Sequence, residues 1–129
     1  MYLTLANILQ RRGSKAGMNR FDNYFEKHWA VVGLSRDLAE KLINAIEIVS
    51  GKEAQQRTRS KNEIRTLFVD GTTLRWIKAS ENSRGFKIGV MWCAKNISKN
   101  IFDCVILPMY MGKYEDIIWV EEETLADNN

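Results

Sequence analysis

The chain has 129 residues, 45% of them hydrophobic and 27% charged, with a net charge of +3. That length accommodates one domain of ordinary size, and the composition is that of a folded chain rather than a disordered one. No apolar run approaches the roughly 18 residues that cross a bilayer, the longest being Val105-Ile106-Leu107-Pro108-Met109, so no membrane partner is expected.

The charge is uneven along the chain. Residues 1–66 hold 12 Lys/Arg against 7 Asp/Glu, and residues 67–129 hold 7 against 9. A basic half of this kind orients a protein toward an anionic partner.

Residues 1–17 read as an N-terminal helical extension, and residues 18–129 as a single α+β domain. In the extension Leu5, Ile8 and Leu9 share a helical face, and Arg11 and Arg12 follow. The stretch also reads as a poorly ordered extension, with Met18 as a second start, or, being basic, acid-free and amphipathic, as an organelle-targeting leader. Phe21, Phe25, His28, Trp29 and Val32 then form an apolar stripe at helical spacing, which predicts a helix over 20–32 that ends at Gly33.

The next helix has the strongest signature. Ser35 is its N-cap and Gly51 its terminator. Leu38, Leu42, Ala45, Ile46 and Val49 form the expected buried stripe, with Glu47 among the residues of the polar side. Residues 52–61 contain no apolar side chain larger than Ala. They are expected to be a loop, a solvated helical extension or a mobile arm.

Asp70-Gly71 predicts a two-residue hairpin turn. In that register Leu67 faces Leu74, Arg65 faces Trp76 and Glu63 faces Lys78. Phe86–Ala94, Ile101–Met109 and Asp116–Val120 read as further strands. The expected fold class is therefore α+β: two to three N-terminal helices packed on one face of a C-terminal antiparallel β-meander of about five strands. Asp103, in an otherwise apolar strand, then needs a cation such as Lys87 or Arg75.

Motifs for chemistry are sparse. Cys93 and Cys104 read as reduced thiols of a cytoplasmic protein, with a cross-strand disulfide as the minor alternative. His28 is the one histidine and reads as a packed helix residue. No catalytic triad, Gly-rich phosphate loop or metal-ligand spacing is visible, so no catalytic residue, metal or cofactor is expected.

The best binding candidates are basic. Arg57, Arg59, Lys61 and Arg65 lie within nine residues of one another, and Arg75, Trp76, Lys78, Arg84 and Lys87 follow on the hairpins. Cations interleaved with aromatics can neutralise phosphates and stack on unpaired bases. The expected function is a small non-enzymatic binding protein of inhibitor or accessory type. It would engage a macromolecular partner, a nucleic acid or a protein of nucleic-acid machinery, through the basic 52–65 junction.

Two alternatives stand beside this. Helices followed by a meander resemble, in topology alone, the small ribosome-dependent ribonuclease toxins of the RelE type. That resemblance implies metal-independent RNA cleavage, with arginines stabilising the phosphorane and His28 or a carboxylate as base. The other is a structural subunit that docks through its N-terminal helix.

Overall fold

The computed structural model describes residues 27–80 and 85–127. The N-terminal extension 1–17, Met18, the start of the expected 20–32 helix and Arg84 lie outside these residues. The elements in chain order are β1 (His28–Val32), α1 (Arg36–Ser50), β2 (Ala54–Arg59), β3 (Ile64–Phe68), β4 (Thr73–Ile77), β5 (Val90–Ala94), α2 (Lys99–Ile101), β6 (Ile118–Val120) and α3 (Glu122–Asp127). A π-helical turn, Phe102–Ile106, and a 3₁₀ turn, Leu107–Met109, continue α2.

The strands form one mixed sheet in the order β2-β3-β4-β1-β5-β6. The expected antiparallel meander is thereby corrected. Only β2–β3 and β3–β4 pair antiparallel, whereas β1 pairs in parallel with both β4 and β5, and β5 in parallel with β6. Among the described residues the helices are not gathered before the sheet either: α1 follows β1, and α2 and α3 belong to the C-terminal half. The topological resemblance to RelE-type toxins loses its basis with the meander.

Residues 28–32 are the central strand and not the end of a helix. Trp29, Ala30, Val31 and Val32 are all buried, the sign of a parallel strand covered on both faces. Trp29 and Val31 meet α1, while Ala30 and Val32 meet the 102–109 turns. Gly33, at φ +82°, makes the left-handed turn out of β1. A Cβ there would lie 3.3 Å from that of Ala94, so glycine also permits the close approach of the β5 end.

α1 keeps its expected bounds. Ser35 Oγ accepts from the Leu38 N–H at 3.4 Å, and Gly51 closes the helix at φ +70°. Its buried face is rotated from the expected one: Ala39, Leu42, Ile43, Ile46 and Glu47 are buried, and Val49 is exposed.

The expected strand over 101–109 is helical. Phe102, Val105, Ile106 and Met109 are buried together under the sheet, at i, i+3, i+4 and i+7. Asp103 is therefore not buried in a strand. It lies exposed and accepts from Lys99 Nζ at 2.8 Å, one turn away.

The β3–β4 hairpin has a three-residue loop instead of two. Gly71 N–H donates to Phe68 O at 2.9 Å, Phe68 N–H donates to Thr72 O at 2.8 Å, and Gly71 sits at φ +92°. This is a type I turn closed by a left-handed glycine, and the extra residue shifts the register by one. Arg65 faces Arg75, Thr66 faces Leu74 and Leu67 faces Thr73. Lys52 Nζ holds Asp70 Oδ2 at 2.5 Å, and Thr72 N–H donates to Asp70 Oδ1 at 2.9 Å.

Candidate functional site

Residues 52–61, expected as a loop or arm, carry β2, an edge strand of six residues. Its apolar poverty is explained by what holds it. Arg57 and Arg59 point toward α1 and converge on Glu47, which is only 8% exposed. Arg57 Nε donates to Glu47 Oε1 at 2.8 Å, and Arg59 Nη2 donates to Oε2 at 2.7 Å. Thr66 Oγ1, buried on β3, donates to the same Oε2 at 2.5 Å. Arg59 also donates to the carbonyls of Thr58 and Arg65 and to Asn44 Oδ1. Burial alone would raise the Glu47 pKa, but the Thr66 hydroxyl and the two guanidiniums outweigh it and hold the carboxyl below its ordinary value. Two of the expected binding arginines thus serve the fold, because they tie the edge strand to the helix.

The rest divide between the two faces of the sheet. Trp76 faces α1, half-buried, with Nε1 donating to Leu34 O at 3.0 Å and Lys78 Nζ 5.4 Å from its ring centre. Lys61 is exposed in the β2–β3 turn. Arg65 and Arg75 point to the opposite face, away from α1, since Ile64, Phe68 and Leu74 beside them pack on the helix.

On that opposite face the registers align two cross-strand rows. Thr58, Arg65, Arg75 and Ala30 form one, running from β2 to β1. Gln56, Leu67, Thr73 and His28 form the other. The first row sets two arginines at directly facing positions. Burial and the neighbouring charge of Arg65 both lower the Arg75 pKa, against a smaller opposing effect of Glu63. Glu63 lies 4.0 Å from Arg65, and among the described residues no carboxylate forms an ion pair with Arg75. Like charges held together with so little compensation make a face that attracts anions.

Arg75 leads directly to an aromatic. Its guanidinium carbon lies 4.9 Å from the ring centre of Phe86, which is 37% exposed. Phe86 in turn borders a groove of about 400 Å³ whose other walls are Val105, Pro108, Met109 and Met111, with Lys87 among the lining residues. Sequence patterns single out Arg65, Arg75 and Lys87 for this region but not Phe86, Met109 and Met111. Phe86 reads as a strand residue from its alternation with Lys87 and Ile88, Met109 reads as the end of a buried strand, and Met111 falls beyond that strand. Two methionines just after the single proline, together with a basic aromatic segment, are the available signal.

Among the described residues no cluster of three or more His, Cys, Asp or Glu could hold a metal ion, and no helix is long and apolar enough to cross a membrane. Cys93 is buried on β5 and Cys104 is exposed on the π-helical turn; both are free thiols. No family model, curated protein or solved structure matches the chain.

Proposed function

We propose that the protein is a small binding protein whose partner is nucleic acid, engaged through the sheet face around Arg65 and Arg75. The observation that supports this is the arginine pair itself: two arginines at facing positions on β3 and β4, with one acidic neighbour, Glu63, 4.0 Å from Arg65. A bound phosphate relieves their repulsion, and each phosphate neutralised releases counterions. Thr58, Thr73 and Gln56 beside them supply hydroxyl and amide groups of the kind that contact phosphate and sugar. Within the basic 52–65 junction the binding charge then falls to Arg65 on the sheet face and to the exposed Lys61 in the β2–β3 turn, because Arg57 and Arg59 are engaged with Glu47.

Titration of labelled RNA and DNA at several salt concentrations tests this. Affinity falls steeply as salt rises, and Arg65→Ala with Arg75→Ala flattens the salt slope by about two. Arg57→Ala has the smaller effect. Absence of binding at low salt sinks the nucleic-acid reading and leaves a protein partner.

A second reading has one observation in its favour. His28 lies on the same face as Arg65 and Arg75, in the row next to theirs. An imidazole near two arginines is a combination that can cleave RNA without metal. RNA cleavage that stops on His28→Ala while binding persists selects this ribonuclease reading over the binding protein.

A further inference from the structure

The arginine pair and the groove form one continuous surface. Arg75 belongs to both, since it faces Arg65 across the strands and lies on the Phe86 ring that borders the groove. The groove volume of about 400 Å³ lies at the small end of the roughly 300–1,000 Å³ found for small-molecule sites. Its lining is mainly apolar, and the half-exposed Met111 is able to adapt to a flat ligand. Met111 is 49% exposed, so the groove opens to solvent. Two cations accompany it, Arg75 against the Phe86 ring and Lys87 among the lining residues.

An occupant must therefore combine a flat apolar body with negative charge a few bonds away. A nucleotide unit has that form: the base supplies the body and the flanking phosphates supply the charge. Bases inside a duplex are stacked and paired, and they cannot enter a groove of this kind, whereas the bases of a single strand stack readily on aromatic rings and guanidinium planes.

We infer that the Phe86–Met109–Met111 groove receives one unpaired nucleobase while Arg75 and Arg65 hold the adjoining phosphates, so that the partner is single-stranded nucleic acid. This rests on the reading of the Arg65–Arg75 face as a phosphate-binding face, and it adds the discrimination between single strand and duplex.

The test is fluorescence anisotropy on the full chain at low salt, with a labelled oligothymidylate, a uridine-rich RNA and a duplex of equal length. The single strands bind about tenfold more tightly than the duplex. Phe86→Ala lowers single-strand affinity about tenfold and leaves duplex affinity unchanged. Met111→Glu, at an exposed position, places a negative charge in the groove and has the same selective effect. Unchanged thermal unfolding of both variants shows that they fold.

Equal affinity for single strand and duplex, or indifference of single-strand binding to both groove variants, overturns the base site. If Arg75→Ala still weakens binding in that case, the phosphate-binding reading survives alone. If none of the three nucleic acids binds, both fall, and an acidic peptide becomes the occupant to examine.

Discussion

Arg65 and Arg75 stand directly opposite each other on β3 and β4, with Glu63 4.0 Å from Arg65 as the pair's one ion-pair partner among the described residues. Such a pair costs stability in the unliganded protein, because like charges facing across a sheet repel. Arg65→Thr therefore stabilises the protein by about 0.5 kcal/mol at low ionic strength. The gain, read as a higher urea midpoint, shrinks as salt screens the repulsion. A lower midpoint at low salt contradicts the idea that this face is held under electrostatic strain.

Glu47 is the counterpart of that face on the other side of the sheet. Glu47→Ala removes the carboxylate that pairs with Arg59, whose side chain is 19% exposed, and leaves the buried Thr66 hydroxyl without its acceptor. The expected cost is about 2–3 kcal/mol. Arg57→Ala, at a side chain that is 58% exposed, costs less than about 1 kcal/mol. Denaturant unfolding of the two variants measures the difference, and equal losses would mean that Glu47 does not anchor β2.

Acid destabilises the fold in a defined window. Burial raises the Asp70 pKa, but the Lys52 ammonium and the Thr72 N–H outweigh it and bring the carboxyl to about 2, below its ordinary 3.8. A depressed folded pKa contributes stability that is complete above the unfolded value and is lost as pH falls through the folded one. The Asp70 contribution therefore disappears between pH 3.8 and about 2. That of Glu47 begins to fade below about 4.5, with the same sign. Asp70→Asn loses less Tm than the parent between about pH 5 and about pH 2. Identical pH profiles for the two proteins contradict the assignment.

The two thiols differ in reactivity. Burial pushes Cys93 up to about 12, whereas Cys104 is exposed, with Sγ 3.6 Å from Asn100 Oδ1. An aromatic disulfide reagent at neutral pH titrates one thiol quickly in the folded protein, and the second only after denaturation. Cys104→Ser abolishes the fast phase. Two fast phases would contradict the burial of Cys93 on β5, and the absence of a fast phase would contradict the exposure of Cys104.

The parts of the fold that are legible in the sequence are those fixed by local chemistry. α1 has its cap at Ser35 and its left-handed end at Gly51, and both signals lie within one turn of the helix they bound. The runs at 28–32 and 101–109 depart from expectation in opposite directions. Trp29-Ala30-Val31-Val32 is buried on both faces, so its residues also satisfy a helical stripe with Phe21 and Phe25. The 101–109 run is apolar enough to pass for a central strand, although Phe102, Val105, Ile106 and Met109 repeat at helical spacing. Short apolar runs fit both templates, and the decision falls to tertiary partners that composition does not reveal.

The candidate site is partly legible for the same reason. Arg65, Arg75 and Lys87 stand out as cations, but their faces follow from the register, which depends on one residue in the Phe68–Thr72 loop. β2 is hidden because its strand character comes from pairing with β3 and from Glu47, an acid that pattern alone assigns to the polar side of α1.

The position of β1 in the sheet bears on how the chain reaches its native state. It is the first described strand to be synthesised, yet its neighbours β4 and β5 both come later, beyond a helix and a hairpin. Its pairings are all non-local, so the entropy of closing long loops is spent before any of its hydrogen bonds form. The β2–β3–β4 unit, joined by short turns, assembles from neighbours and offers β4 as a template. Until that template and β5 exist, the Trp29–Val32 segment is an unpaired apolar strand, and the nascent chain is at its most aggregation-prone during that interval.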